Sequence, residues 1–194
     1  VEGKENLAEV TDQTIAEVIS EKMGVPLEII TGHIEGTKQP RLLGLESFLK
    51  SRIIGQDEAV NLVCQRLLIS HAGLAKRRGP LAVFLFLGPT GVGKTEMART
   101  MSEFLFGNDK QLIRFDMSEF MEEHSVSKLI GSPPGYVGYD EEGQLTGQLR
   151  TKPYSVVLFD EVEKAHQKVF DIFLQLFDEG RITDAKGRTT DGRN

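Results

Sequence analysis

The stretch Gly88-Pro89-Thr90-Gly91-Val92-Gly93-Lys94-Thr95 fits the pattern G-x-x-x-x-G-K-S/T. Its three glycines let the backbone N–H groups wrap a phosphate, because no Cβ atom blocks the approach. The loop then opens a helix, whose N-terminus favours anions. We predict that Lys94 reaches the β- and γ-phosphates and contributes to catalysis, and that the Thr95 hydroxyl binds Mg²⁺. The predicted nucleotide-binding residues of this stretch are Gly88, Pro89, Thr90, Gly91, Val92, Gly93, Lys94, Thr95 and Glu96.

Strands and helices alternate on both sides of this loop. The apolar run Leu81–Leu87 predicts a strand buried on both faces, and a helix is expected from Gly93 to about Phe106. Two further strands are predicted, with helices between and after them: strands over 112–115 and 155–159, helices over 118–130, 144–151 and 161–178. This alternation predicts an α/β fold with a parallel central sheet in three layers.

Two carboxylates end the last of these strands, in Val156-Val157-Leu158-Phe159-Asp160-Glu161. Ligands of open α/β sheets bind at the carboxyl ends of strands, and adjacent strand residues point in opposite directions. We therefore expect Asp160 to hold Mg²⁺ and Glu161 to orient and deprotonate the attacking water. The alternative is that the pair is only the acidic first turn of the next helix. Small-molecule kinases share the phosphate loop but need no water-activating glutamate, so Glu161 favours hydrolysis.

Composition limits the class of protein. The 194 residues carry a net charge of −6, which argues against nucleic acid as the main ligand. A single cysteine, Cys64, indicates a reducing compartment, and we expect a cytoplasmic protein. No apolar run reaches the length of a membrane span, and no signal peptide opens the chain. We expect a helical lead-in over residues 1–50, including helices over 11–23 and 40–50, and a nucleotide-binding core over residues 51–194, beginning with a helix over 56–77.

The stretch 131–139, Gly-Ser-Pro-Pro-Gly-Tyr-Val-Gly-Tyr, is rich in proline and glycine and predicts an irregular loop. Tyr136 and Val137 stand between glycines, which predicts projecting side chains. An aromatic side chain on such a loop can grip an arbitrary polypeptide through apolar contact. On composition alone, packing of the tyrosines into their own domain stays an open alternative.

In this order, these elements resemble the second ATPase domain of the Hsp100/Clp family (ClpB, ClpC and ClpA type), a branch of the AAA+ proteins. The resemblance extends over roughly residues 11–194, and its densest stretches are residues 53–60, 86–95, 115–120, 129–139, 158–166 and 180–184. It implies the large subdomain of a P-loop NTPase with a helical lead-in, and ATP/ADP and Mg²⁺ as cofactors. It also implies that the sensor strand, the arginine finger and the helical lid lie beyond residue 194.

Further roles are implied by the resemblance alone. Ile53 and Ile54 match residues that hold the adenine. The pore-loop residues Gly135, Tyr136, Val137 and Gly138 match those that pull unfolded polypeptide through a hexameric ring, and the stretch after Gly180 matches a second pore-lining loop. The implied partners are other copies of the chain, unfolded or aggregated polypeptide, and either an Hsp70 system or a ClpP-type protease.

The chain departs from the family pattern at two places. Where many relatives read Gly-Gly-Tyr-Leu-Thr-Glu, this chain reads Glu142-Gly143-Gln144-Leu145-Thr146-Gly147, and Lys22-Met23-Gly24-Val25-Pro26 replaces Trp-Thr-Gly-Ile-Pro. The first departure leaves the strength of substrate grip open, and the second leaves the packing of the lead-in open.

Two other functions compete with an ATP-driven unfoldase. A nucleic-acid-remodelling AAA+ ATPase would need a basic pore, whereas this loop carries Asp140, Glu141 and Glu142. A nucleotide-gated binding platform would not need all three of Lys94, Asp160 and Glu161, which are intact here.

Overall fold

Two parallel strands form the central sheet in the computed structural model, which describes residues 10–31, 41–72, 78–132, 134–135 and 142–193. Strand β1 (Leu112–Asp116) pairs with β2 (Val156–Asp160), with Asp116 directly opposite Asp160. Strands β3 (Arg181–Thr183) and β4 (Thr189–Asp191) form a separate antiparallel hairpin. The parallel α/β character predicted from the sequence is therefore confirmed.

Helices surround these strands. In chain order they are α1 (Asp12–Met23), α2 (Leu27–Thr31), α3 (Leu45–Arg52), α4 (Asp57–His71), α5 (Lys94–Phe106), α6 (Glu123–Ile130), α7 (Gln144–Thr151) and α8 (Gln167–Glu179). Short 3₁₀ turns lie at Arg41–Gly44, Asp109–Gln111, Met117–Phe120 and Val162–Lys164. The predicted helices over 11–23, 93–106 and 144–151 are confirmed to within one residue at each end.

The prediction that Leu81–Leu87 is a strand buried on both faces is wrong. The segment runs without a ladder partner among the described residues, and its side chains alternate. Phe84 and Phe86 pack against a core cluster, whereas Leu85 and Leu87 are 70% and 83% exposed. A continuous apolar run does not reveal which of its faces has a packing partner, so burial on both faces could not be inferred from it.

Four predicted helices differ from the observed ones in extent or type. The helix predicted over 118–130 is divided into the 3₁₀ turn Met117–Phe120 and α6. The one predicted over 161–178 begins only at Gln167, because Glu161 adopts a left-handed conformation and a 3₁₀ turn follows it. The helix predicted over 40–50 is likewise a 3₁₀ turn followed by α3. The helix predicted over 56–77 is α4, which ends at His71; residues 73–77 lie outside the described residues. The β3–β4 hairpin was not predicted as strands.

Two apolar clusters form the core. One joins β1 and β2 to α6, α7, α8 and β3, and contains Met117, Leu129, Leu145 and Ile182 with no more than 1% of their surface exposed. The other joins α3, α4 and α5 and includes Cys64. Cys64 is 3% exposed in this cluster, and burial raises the pKa of its thiol to about 11.

The lead-in contacts the core at the place where its sequence departs from the family pattern. Gln111 Nε2 donates a hydrogen bond of 3.0 Å to the carbonyl of Met23, and Val25 is 2% exposed. The substitution of Trp-Thr-Gly-Ile-Pro thus keeps a buried aliphatic residue at 25. Among the described residues, no helix is long and apolar enough to cross a membrane.

Candidate nucleotide site

The phosphate loop turns tightly between the 81–87 segment and α5. Gly91 and Gly93 have φ angles of 84° and 97°, a region that residues with a Cβ rarely adopt. Lys94 Nζ donates to the carbonyls of Gly88 and Pro89, at 2.8 Å and 2.7 Å. The ammonium group therefore lies inside the curve of the loop, where its positive charge can meet a phosphate once those two hydrogen bonds are exchanged.

The first turn of α5 brings Thr95 to the carboxyl end of β2. Thr95 Oγ1 lies 3.5 Å from Asp160 Oδ2, although 65 residues separate them. A hydroxyl and one carboxylate beside a phosphate loop fit Mg²⁺, which takes one or two protein oxygens and completes its shell with phosphate and water. No group of three or more His, Cys, Asp or Glu side chains suited to a metal occurs in the described part of the chain. The residues fit a magnesium ion carried by the nucleotide better than a metal held by the protein alone.

Arg114 on β1 is a member of this site that the sequence analysis did not identify. Its Nη2 donates to Asp160 Oδ2 at 2.8 Å, and the Asp160 side chain is 22% exposed. The other oxygen of this carboxylate, Oδ1, accepts a hydrogen bond of 3.2 Å from the backbone N–H of Glu161. Asp160 is thus oriented through both oxygens. The sequence signal that could have identified Arg114 is its position as the one charged residue in the otherwise apolar strand Leu112–Phe115.

Glu161 stands in a strained turn directly after Asp160. Its φ of 54° makes it the one non-glycine residue with positive φ among the described residues, and this conformation costs about 1–2 kcal/mol. Lys164 Nζ donates to Glu161 Oε2 at 2.6 Å, and both side chains are 45% exposed. The hydrogen bond to Glu161 raises the pKa of Lys164. The predicted base is therefore held by a lysine three residues away, a partner that the sequence analysis missed.

Asp116 ends β1 beside these groups. The hydroxyl and the N–H of Ser118 donate to Asp116 Oδ1 at 2.6 Å and 2.9 Å. These hydrogen bonds lower the pKa of the Asp116 carboxyl below its ordinary value, and the charges of Lys164 and Arg114 lower it further. The carboxyl edge of the sheet therefore carries two carboxylates side by side, Asp116 bonded to Ser118 and Asp160 bonded to Arg114. This edge is the expected position of a ligand site.

The two predicted adenine residues lie in different surroundings. Ile53 is 5% exposed and belongs to the core cluster of α3, α4 and α5. A Cβ placed on Gly93 would be 3.8 Å from Ile53 Cγ2, so Ile53 lies against the phosphate loop. Ile54 is 90% exposed, and its side chain is open to a ligand. Glu96, which completes the predicted set, is exposed on the first turn of α5.

The predicted gripping loop lies mostly outside the described residues. Tyr136, Val137 and Gly138 fall outside them, so Gly135 is the one residue of the predicted loop set that is described. Its φ is 89°, and no atom lies within 4 Å of the position that a Cβ would take. The stretch after Gly180, predicted to be a second loop, is the β3–β4 hairpin.

Comparisons with known proteins show which family this chain resembles. The family model described as "AAA domain (Cdc48 subfamily)" matches residues 79–194, which include the phosphate loop and both strand-end carboxylates. The "Negative regulator of genetic competence ClpC/MecB" of Bacillus subtilis is 55% identical over 193 residues, which are 100% of this chain and 23% of that protein. The "Chaperone protein ClpB 1" of Thermosynechococcus vestitus is 55% identical over 186 residues, 96% of this chain and 21% of that protein.

A third relative is the "ATP-dependent Clp protease ATP-binding subunit ClpC" of Staphylococcus epidermidis, 54% identical over 184 residues, or 95% of this chain and 22% of that protein. The chain thus spans less than a quarter of the length of these relatives. Because the family model matches more than half of the chain, and does so across the whole of the phosphate site, the chain belongs to the AAA domain family, Cdc48 subfamily.

Proposed function

We propose that this chain is the second nucleotide-binding domain of a Clp-type protein unfoldase, and that it binds and hydrolyses ATP with Mg²⁺. The observation that carries the proposal is the convergence of Lys94, Thr95, Asp160 and Glu161 at one edge of the sheet. The similarity to chaperone and protease-subunit relatives over nearly the whole chain supports protein unfolding as the work that hydrolysis drives.

The roles of the site residues follow from their chemistry. Lys94 binds the β- and γ-phosphates, Thr95 and Asp160 bind the metal, and Ile53 and Ile54 contact the base. Glu161 orients the attacking water and takes its proton. Bound Mg²⁺ supplies positive charge that offsets the charge developing on the phosphates. The proposed domain division is the lead-in over 1–50 and the core over 51–194.

The proposed assembly is a hexameric ring that threads unfolded or aggregated polypeptide past Gly135, Tyr136, Val137 and Gly138. In such a ring a neighbouring copy supplies an arginine to the nucleotide. An Hsp70 system or a ClpP-type protease would be the partner of the full-length protein. The acidic composition of the chain does not favour nucleic acid as the substrate.

The test uses the full-length protein and a stable, tagged fluorescent substrate. We expect Tyr136→Ala to abolish substrate unfolding while ATP turnover persists, because only the aromatic contact is lost. Tyr136→Phe is the matched control, which keeps the ring and should keep most of the unfolding rate. If Tyr136→Ala unfolds the substrate as fast as the wild type, the threading proposal fails and only the ATPase proposal remains.

A further inference from the structure

Four charged side chains form a cluster between the β3–β4 hairpin and the segment that joins α6 to α7. We call this segment, residues 131–143, the 131–143 loop; the structure describes only residues 131, 132, 134, 135, 142 and 143 of it. This cluster, which we call the loop clamp, consists of Glu142, Arg150, Asp184 and Arg188. Glu142 Oε1 accepts hydrogen bonds from Arg150 Nη1 and, at 3.5 Å, from Arg188 Nη2. Arg150 Nη2 lies 3.8 Å from Asp184 Oδ2 and donates to Thr190 Oγ1 at 3.1 Å. Residues from the loop end, from α7, from the hairpin turn and from β4 thus meet in one network.

The hairpin also holds the other end of the loop. The N–H of Ala185 donates to the carbonyl of Ile130 at 3.1 Å, directly before the loop begins. A Cβ on Gly143 would collide with the backbone of Ile130 and Gly131, so the two ends of the loop lie against each other. The hairpin turn is therefore hydrogen-bonded at both ends of the loop. Ala185 contacts Ile130, the residue before the loop, and Arg188 contacts Glu142 near the end of the loop.

Asp184 makes the hairpin side of the clamp rigid. Its side chain is 2% exposed, and Oδ1 accepts the N–H groups of Lys186 and Arg188 at 2.9 Å and 2.8 Å. Oδ2 accepts Arg188 Nε at 2.7 Å. Burial raises the pKa of this carboxyl, but the bonds and charge of Arg188 outweigh burial and hold the pKa below its ordinary value. Arg188 is thus presented to Glu142 in a fixed direction.

Gly147 makes room for the Glu142 side chain. A Cβ on Gly147 would lie 3.1 Å from both Cγ and Oε2 of Glu142, which is tighter than ordinary van der Waals contact. The small residue at 147 and the acid at 142 are complementary, so the carboxylate can lie over α7 and reach Arg150.

We propose that Glu142 is a positioning residue that fastens its own end of the 131–143 loop to the β3–β4 hairpin, so that this loop end and the hairpin move as one unit. The consequence for activity rests on the proposed function, in which residues of the 131–143 loop contact the polypeptide. A movement of either segment during the nucleotide cycle would then displace the other.

Hydrogen exchange in the full-length protein tests the clamp without any substrate. In Glu142→Gln, which keeps the shape of the side chain, we expect the amide of Ala185 and the hydrogen-bonded amides of α7, which begin at Gly147, to exchange about fivefold faster, the effect of one partly exposed ion pair. The matched control is Glu179→Gln, because Glu179, at the end of α8, pairs with Arg181 of the same hairpin at 2.9 Å but lies outside the clamp. This control should leave both groups of amides within about twofold of the wild type.

A rescue variant separates the clamp from simple destabilisation. Because Gly147 faces the Glu142 carboxylate, the double variant Glu142→Gly, Gly147→Glu moves the acid to the other side of the same space. We expect it to restore protection that Glu142→Gly alone loses. Wild-type exchange in Glu142→Gln, faster exchange at only one of the two segments, or failure of the rescue would overturn the proposal.

Substrate unfolding tests the consequence. We expect Glu142→Gln to unfold about threefold less substrate per ATP hydrolysed while ATP turnover stays within about twofold, by the same ion-pair magnitude. An unchanged yield would overturn the coupling between the two segments during threading. Failure of the proposed function is distinguishable, because the wild type would then unfold nothing while the exchange measurement would still decide the clamp.

Discussion

Arg114 and Asp160 form an ion pair across the two parallel strands, with Arg114 Nη2 2.8 Å from Asp160 Oδ2. Strand register sets this pair: Arg114 lies opposite Leu158, two residues before Asp160 and on the same face of the sheet. The oxygen that accepts Arg114 is the one that lies 3.5 Å from the Thr95 hydroxyl. The predicted metal ligand is therefore oriented by the neighbouring strand.

Replacing Arg114 should weaken the binding of Mg²⁺ at the site. In Arg114→Ala the Asp160 carboxylate loses its orienting partner, and we expect the Mg²⁺ concentration for half-maximal ATP turnover to rise about fivefold, as for one partly exposed ion pair. Titration of turnover with Mg²⁺ at saturating ATP measures this. Arg99→Ala is the control, because Arg99 pairs with Asp109 at 3.8 Å on the surface. An unchanged Mg²⁺ midpoint in Arg114→Ala would contradict the assigned role.

Glu161→Gln should separate nucleotide binding from hydrolysis. The amide keeps the size of the side chain but cannot take a proton, so we expect turnover to fall by at least about 100-fold. Binding of a fluorescent ATP analogue should stay within about threefold, because the phosphate loop is intact. Glu163→Gln removes a neighbouring exposed acid and should leave both quantities near wild type. Turnover that survives in Glu161→Gln would show that another group activates the water.

Lys164 should restrain the basal activity. Its ammonium group donates to Glu161 at 2.6 Å, and a water molecule cannot use the oxygen that this bond occupies. We expect Lys164→Met to raise basal turnover about two- to fivefold, given the small free energy of an exposed ion pair. Lys168→Met removes a comparable surface pair with Glu123 and should change turnover little. A fall in basal turnover would instead indicate that Lys164 positions Glu161 for catalysis.

Local patterns predicted the phosphate loop, α5 and the acidic end of β2, because each is encoded by consecutive residues. The motif at 88–95 determines a turn and a helix start, and the apolar run before Asp160 determines a strand end. The position of Thr95 beside Asp160 also followed, since the carboxyl end of a strand and the loop meet at one edge. The catalytic and binding roles of these residues stay predictions.

The partners of the two acids could not be predicted in the same way. The pairing of Arg114 with Asp160 depends on the register between strands that are more than 40 residues apart. Lys164 reaches Glu161 because Glu161 is left-handed, a conformation that composition does not indicate for glutamate. The loop clamp likewise joins residues of the loop end, α7 and the hairpin turn. The Arg114 pair and the loop clamp are fixed by tertiary packing, whereas the Lys164 contact is local and depends on the backbone conformation of Glu161.

Asp184→Asn should weaken the β3–β4 hairpin in a pH-dependent manner. The variant keeps the shape but loses the charge that holds Arg188, and we expect the free energy of local opening to fall by about 2 kcal/mol at neutral pH. The folded pKa of Asp184 lies below its ordinary value of 3.8, so the stabilisation is complete above that pH and is lost as the pH falls through the folded pKa. The difference between wild type and variant should therefore shrink below about pH 4.

Hydrogen exchange of the Asp184, Ala185 and Gly187 amides across pH measures this difference, since all three donate within or from the hairpin turn. The control is Asp178→Asn, which replaces an exposed acid at the end of α8. At every pH, these amides should exchange in this control at the wild-type rate. A difference that keeps its full size well below pH 4 would mean that the charge of Asp184 does not secure the turn, and that the amide NH₂ group introduced by the variant disturbs it instead.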